Sequence, residues 1–484
     1  MKWNKALLTL VTVFTGLYSL ISLVNHYNFR TYALDLGLYT NALYKYGNLQ
    51  LADSLMIKDV YEPMLGGHFD LYLILFSPLV HIFGEHTLLL VQIAAISFGG
   101  IGCYYYFRNS NDKTTSNLAI WASAYFCSFF GVFSAFSFDY HSVVVASGFM
   151  PWFFLAIKNR NMKIASIWFL VILIAQENVS FIMTFICLSL AALNRKDRRT
   201  RLLLLVLATC SVIYFLTVIY AVIPHFSARN EYGGFLYSTL GNSPLEALKN
   251  IINHPIESLK KLFVNHTENP DANFVKLEFH LFIIISGAYM LFKKPIYLLM
   301  LLPLYFQKLY HDNSLMWSFG GQYVVEFAPV FTLGIFSVLS SVKRLKTQRI
   351  LLAIVMLGSV FTTVRMMDNT IQFTDKSRIR IYQEKHYKRS YSVKDVHNEL
   401  KLIPADAKVS AQSPFVPHLS LREVIYEFPK IADADFIVYS PVENPYPLSA
   451  VKFKEVTLNL LNSKEWTVIN NNEELILLKR NNEP

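Results

Sequence analysis

Apolar runs long enough to cross a bilayer recur along the chain, and this most restricts what it can fold into. Residues 6–24, 87–107, 202–223 and 350–364 are examples. A helix gains about 1.5 Å per residue, so about 17–25 apolar residues span the hydrocarbon. Inside that layer a helix pairs every backbone polar group within its own segment, so such runs read as helices. Only 16% of the 484 residues are charged, against about 25% in an ordinary soluble domain. With 53% hydrophobic residues there is too little polar surface to cover a soluble globule. The same composition excludes a disordered chain, a coiled coil and a disulfide scaffold. All four cysteines lie in apolar runs without a CxxC pair and read as packing residues. The first run lacks a small-residue cleavage site, and Asn25-His26-Tyr27-Asn28 follows directly, so it reads as a retained span.

The net charge of +10 would suit a nucleic-acid partner, but its placement argues against one. Basic residues cluster at span ends: Lys2 and Lys5, Arg108 and Lys113, Lys158 with Arg160 and Lys163, residues 195–201, Lys293-Lys294, and residues 343–349. That is the positive-inside pattern of a chain anchored in a lipid bilayer, and it sets the parity of the spans. A full crossing by 71–83 would put Arg108 and Lys113 outside. This segment has only about 13 residues and contains Pro78, so an interfacial or re-entrant helix is expected there. The remaining spans are expected at 87–107, 117–135, 142–157, 164–176, 179–194, 202–223, 277–292, 295–310, 322–341 and 350–366. With the first they make about eleven, N-terminus inside and C-terminus outside.

Large external regions follow at 25–86, 225–276 and 368–484. Residues 245–264 predict one amphipathic surface helix. The last region predicts a small α/β domain, with strands at 408–410, 423–426, 435–439 and 466–469. Residues 474–478 close a hairpin after the Asn470-Asn471-Asn472 turn. The expected architecture is mostly α: a polytopic helical bundle over 1–367 and an extracytoplasmic α/β domain over 368–484.

The same parity gathers ionisable residues on the external face. Asp35 lies just past the first span in Tyr32-Ala33-Leu34-Asp35-Leu36-Gly37. A carboxylate held among apolar neighbours at the membrane surface has a raised pKa unless partnered, which suits a general base. Capping a helix over 36–46 is the other reading. Gly66-Gly67-His68-Phe69-Asp70 offers His68 and Asp70 to a phosphate, a sugar hydroxyl or a metal, although Asp70 is equally a helix cap. Asp139 and His141, in Phe138-Asp139-Tyr140-His141, mark one hairpin tip, and Glu177, in Gln176-Glu177-Asn178, marks the next. Polar groups at that depth are costly unless they face a wet cavity; solvated turns are the plainer account. His311 and Tyr323, in Tyr310-His311-Asp312-Asn313 and Gly320-Gly321-Gln322-Tyr323, face the same side, with Glu326 a turn deeper. Acids and histidines of this kind would suit Mg²⁺ or Mn²⁺, but no metal ligand set is assigned.

Walker A, HExxH, GxSxG and strand-linked GxGxxG signatures are absent from the sequence, which argues against cytoplasmic nucleotide hydrolysis. What remains fits a transferase acting on a membrane-anchored donor. A non-catalytic carrier or flippase of lipid-linked sugars is the alternative, although intramembrane charges are few and no two-fold hydropathy repeat stands out. A structural or sensory membrane protein, its tail binding an envelope partner, is a third class.

In order along the chain, Asp35-Leu36-Gly37, His68-Phe69 with Ser77-Pro78, Asp139-Tyr140-His141, Gln176-Glu177-Asn178 and Gln322-Tyr323 with Pro329 resemble the motifs of the DUF2079 family of prokaryotic polytopic membrane proteins. Ile403-Pro404, Val409-Ser410-Ala411, Pro417-His418-Leu419-Ser420, Arg422 and Tyr426 resemble its tail signature. Ser142 stands where the family often has an acid, and Gln176 where it often has a charged residue. The family in turn distantly resembles the GT-C superfamily of glycosyltransferases, such as protein O-mannosyltransferases. That resemblance implies a bacterial inner-membrane enzyme using a polyprenyl-phosphate sugar donor. Asp35 would be the essential acid after the first span, and His68, Asp70, Asp139, His141, Glu177, His311 and Tyr323 would hold donor or acceptor.

Overall fold

The computed structural model describes residues 4–109 and 112–481. Lys2 and the side chain of Lys113, named above among the basic residues, lie outside the described residues. The chain is mostly helical, with a five-stranded sheet near its C-terminus. Helices of spanning length and apolarity run over Lys5–Tyr27, Tyr72–Arg108, Arg198–Phe226 and Leu345–Asp368. A further path is the pair Thr115–Ser128 and Phe130–Phe136, bent by 43°.

The eleven spans expected from hydropathy are therefore not all matched by helices of spanning length. Ser142–Lys158, Met162–Leu173, Glu177–Leu193, Ile296–Leu309 and Phe327–Ser340 are apolar but have only 10–17 residues. The 12 residues of Met162–Leu173 reach about 18 Å, little more than half the hydrocarbon thickness. The region expected as a span at 277–292 is split at Gly287, whose φ of +104° ends Val275–Ile285 before a 3-10 turn over Ala288–Lys293. Apolar composition alone does not separate a crossing helix from one buried inside a bundle.

Residues 71–83 form short pieces, Tyr72–Phe76, Ser77–Leu79 and Val80–Phe83, that lead through Gly84–His86 into Thr87–Arg108. Pro78, and Gly84 at φ +54°, mark the breaks. Thr87–Arg108 packs backbone to backbone against Ser142–Lys158. A β-carbon on Gly148 would lie 2.2 Å from the Ala95 carbonyl oxygen, and one on Gly99 2.8 Å from that of Gly148. The amphipathic helix expected over 245–264 is two helices, Pro244–Asn253 and Pro255–Lys261. The residue before a proline is driven out of the helical region, and His254 has φ −128° and ψ 60°.

The five strands fall where the sequence places them: β1 Val409–Ala411, β2 Ile425–Glu427, β3 Phe436–Tyr439, β4 Trp466–Asn471 and β5 Ile476–Arg480. Their order is β2-β1-β3-β5-β4; β1 runs parallel to both neighbours, and β5 antiparallel to both of its own. Central strands β1 and β3 are buried on both faces, as parallel strands usually are. Ile437, Tyr439, Ile476 and Leu478 pack against Phe453 and Leu460 of the helix Ala450–Asn462. On the opposite face Val409, Ala411, Val438 and Leu477 pack with Val396 and Leu400 of the helix Val393–Leu400.

That second cluster also contains Phe29, Ala33, Leu38 and Met56, which follow the first long helix. The sheet region thus shares a core with the segment that carries Asp35. At Gly37 the packing is so close that a β-carbon would lie 2.7 Å from Val416 Cγ1. Polar ties reinforce the seam: the Asn41 amide donates to the carbonyls of Ser420 (2.9 Å) and Arg422 (2.8 Å). Arg30 donates to the carbonyls of His386, Lys385 and Lys388.

Candidate functional site

Asp35 sits in a π-type turn, Ala33–Gly37, that runs into the helix Leu38–Gly47. The first amides of a helix need partners from outside it. Asp139 Oδ2 accepts the N–H groups of Tyr32 (2.9 Å) and Leu36 (3.5 Å), and Ser413 Oγ accepts that of Ala33 (3.2 Å). Capping is thus done from other parts of the chain, and the capping reading of Asp35 is set aside. Its carboxylate faces His141 Nε2 at 3.5 Å instead.

His141 is held from several sides. Its backbone N–H donates to Gln92 Oε1 (3.1 Å), its Nδ1 meets the Asp139 carbonyl (3.3 Å), and its ring stacks on Phe138. With Nδ1 turned to that carbonyl, Nε2 is the ring nitrogen that faces Asp35. Asp139 is fully buried and pairs with Arg378 at 2.7 Å. Burial pushes its carboxyl above the ordinary aspartate range, and Arg378 works against that shift.

A second group lies on the Gly66–Asp70 turn. Gly66 lies against the Phe226 carbonyl, whose oxygen would be 2.7 Å from any β-carbon there, so only glycine fits. His68 Nδ1 bonds Glu177 Oε1 at 2.8 Å, and the Phe69 N–H donates to Glu177 Oε2 at 3.2 Å. Glu177 opens the helix Glu177–Leu193, where the helix dipole favours a negative charge. Desolvation in the cleft pulls the His68 pKa down, but the Glu177 carboxylate outweighs it, and the net shift is upward. Asp70 is buried and accepts the Tyr72 N–H at 2.9 Å, two residues on, while the cap position of the short helix that follows is Leu71. Burial pushes its carboxyl up to about 7.

Tyr39 joins the groups: its hydroxyl lies within electrostatic reach of Asp35, Asp70, Glu177 and Tyr323. Tyr323 in turn feels Asp35, and Lys308 Nζ stands 5.3 Å from its ring centroid. Lys308 forms a buried ion pair with Glu326 at 2.7 Å. Glu326 lies just ahead of the helix Phe327–Ser340, not within it. His311 is engaged in its own loop, where Nδ1 accepts the Asn313 N–H at 2.9 Å and the ring packs edge-on to Tyr237.

A small cavity of about 130 Å³ opens between these elements, lined by Tyr39, Lys58, Glu62, His68 and Asp70 among others. A larger apolar groove of about 450 Å³ runs between Met162–Leu173 and Arg198–Thr217, past Phe169, Leu173, Leu207, Cys210 and Ile213 to Tyr214. Cys210 is exposed there, whereas Cys103, Cys127 and Cys187 are buried. Tyr214 packs near Phe69 and lies within reach of Glu177 and Asp70, so the groove ends beside the His68 turn.

Sequence reasoning did not single out several of these residues. Gln92 and Lys308 are polar groups inside apolar runs, a signal that points to function by default. Arg378 carried no such signal, since it meets Asp139 across 239 positions.

The family model for a predicted membrane protein, DUF2079, matches residues 25–477. The chain belongs to the DUF2079 family. No curated protein matches it by sequence. Among solved structures it is similar to that of ArnT from Cupriavidus metallidurans bound to undecaprenyl phosphate. The identity is 10%, the likeness covers 97% of each chain, and the TM-score is 0.51. At that identity the likeness speaks to the fold alone: this DUF2079 chain shares the overall architecture of that structure.

Proposed function

We propose that the chain is a membrane glycosyltransferase that moves a sugar from a polyprenyl-phosphate donor to an envelope acceptor on the extracytoplasmic face. One observation carries the reading: an apolar groove suited to a lipid chain ends beside His68 and Glu177, and His68 lies within electrostatic reach of Asp35. The fold likeness to a protein whose structure holds undecaprenyl phosphate supports it. In this reading residues 1–367 form the membrane part, with external regions 25–86 and 225–276. Residues 368–484 form the extracytoplasmic α/β domain, and the protein sits in a bacterial inner membrane with its N-terminus in the cytoplasm.

The isoprenoid lies along the groove and presents its phosphate to His68, whose cationic form Glu177 favours. The acceptor hydroxyl gives its proton to Asp35, and its oxygen attacks the anomeric carbon. The bond from that carbon to the phosphate oxygen breaks, and its electron pair leaves with the polyprenyl phosphate. His141 orients Asp35 and shares the proton taken up. Asp70, Asp139 and Tyr323 line or support the acceptor side, and His311 supports the loop beside it.

The test is mass spectrometry of lipid-linked and envelope glycans in cells carrying wild type, a deletion, or Asp35→Asn at equal expression. Deletion and Asp35→Asn are expected to lose the same sugar from an acceptor while the lipid-linked donor accumulates. Wild-type glycans in the Asp35→Asn strain, alongside altered glycans in the deletion, would remove Asp35 from the chemistry.

A further inference from the structure

Away from Asp35, a second set of side chains converges where the first helix, the turn before Thr87–Arg108 and the sheet region meet. His26 lies in the last turn of Lys5–Tyr27, Glu85 in the turn Gly84–His86, and His418 in the short helix Val416–Leu419. One ligand-capable atom from each lies within 4.8 Å of the others, and among the described residues this is the group of acids, imidazoles and thiols that does so. Glu85 Oε1 is 4.0 Å from His26 Nε2 and 3.8 Å from His418 Nδ1. Both distances are too long for hydrogen bonds. Ligands held at about 2.0–2.1 Å from a tetrahedral ion lie about 3.4 Å apart. The rings of His26 and His418 stack at 4.2 Å and 14°, so closing the set takes a turn of one imidazole as well as an inward movement.

The histidines supply an independent observation. The side chains of His26 and His418 are 1% and 5% exposed. Yet among the described residues His26 Nε2 and both ring nitrogens of His418 make no hydrogen bond of normal geometry, the His26 backbone being the polar group beside the His418 ring. Buried polar atoms are rarely left so, because the loss of water is uncompensated. The other nitrogen of His26, Nδ1, pairs with the Thr31 hydroxyl at 2.9 Å, and a partner of this kind fixes the ring of a metal-ligating histidine. His86 flanks the cluster, its ring centroid 5.0 Å from that of His26. His397 is already used, its Nε2 bonded to the Tyr27 carbonyl at 2.9 Å.

We infer that His26, Glu85 and His418 form a structural divalent-metal site, of the kind that takes Zn²⁺, which fastens the sheet region to the end of the first helix. Two imidazole nitrogens and a carboxylate are a borderline donor set that suits Zn²⁺ over Mg²⁺ or Ca²⁺. His86 or a water would complete four-coordination.

The test uses the full chain in detergent, purified through a histidine-free tag, stripped with a chelator and reloaded with Zn²⁺ alone. Metal content and melting temperature are both read. Wild type is expected to hold about one equivalent and to melt several degrees higher with Zn²⁺. Glu85→Gln and His418→Asn are expected to lose both effects, while His397→Ala keeps them. If His418→Asn does not elute as a folded protein, Glu85→Gln decides, because Glu85 is partly exposed. Wild type that retains no tightly held Zn²⁺, or a Glu85→Gln variant that holds as much as wild type, overturns the inference.

Discussion

Arg378 and Asp139 meet at 2.7 Å, and Asp139 uses its second carboxylate oxygen to cap the turn that bears Asp35. Arg378 also lies over the rings of Tyr32 and Phe138, at 5.3 and 5.2 Å from their centroids. One buried pair therefore joins the chain beyond the last long helix to both walls of the candidate site. Arg378→Ala leaves a buried carboxylate without its counter-charge, a change that costs about 3–5 kcal/mol. We expect the lower end, because Arg378 is partly exposed. Thermal unfolding in detergent measures it, and an unshifted melting temperature would show the pair to be ornamental.

Asp35→Asn should behave in the opposite way. Asp35 caps no helix and is about a fifth exposed, so stability should change by less than about 0.5 kcal/mol. Unfolding curves of the two proteins should overlay while the glycan readout is lost. A large drop in stability would return Asp35 to a structural role.

Gly37 tests the seam between the segment after the first long helix and the sheet region. A methyl group there would lie 2.7 Å from Val416 Cγ1, and overpacking of this kind costs about 1–3 kcal/mol. Gly37→Ala should lower the melting temperature, and adding Val416→Ala should recover part of the loss. Purely additive effects of the two substitutions would mean that they do not touch.

Asp70 should give the stability a pH dependence of known sign. Its carboxyl titrates near 7 in the folded chain, against the ordinary 3.8. The folded state therefore binds the proton more tightly, and stability falls as pH rises between about 4 and 7, then levels off. Melting temperatures of wild type and Asp70→Asn from pH 5 to 8 test this. The wild type should lose ground to the variant across that range, and a constant difference would contradict the assignment.

The local parts of this fold were legible because their signals are local. Alternating β-rich stretches bounded by turn residues mark all five strands, and Asn470-Asn471-Asn472 marks the last hairpin. Asp35, His68, Asp139, His141 and Glu177 stood out as polar groups at the ends of apolar runs, and the structure brings Asp35 to His141 and His68 to Glu177. Partners such as Arg378 and Ser413 were not legible, since nothing in the sequence near either says that it folds back onto residues 32–36. The count of eleven spans is not confirmed, because helices such as Met162–Leu173 carry an exposed apolar face (Ile164, Ile167, Leu170) yet are shorter than a crossing helix, and apolar composition alone does not fix length. The break at Pro255 was visible in the residue itself, but the amphipathic pattern continues across it.

The core shared by Phe29, Ala33 and Leu38 with Val409 and Val416 has a consequence for biosynthesis. Ala33 leans on Ser413, 380 positions later. At about 5–20 residues per second a ribosome needs about 20–80 s to cover that distance. Throughout that interval the Asp35 turn lacks its Ser413 partner, and for most of it the Arg378 brace and the apolar backing as well. A nascent chain is therefore inserted before it is competent, and one that stops short of Val416 cannot close the site.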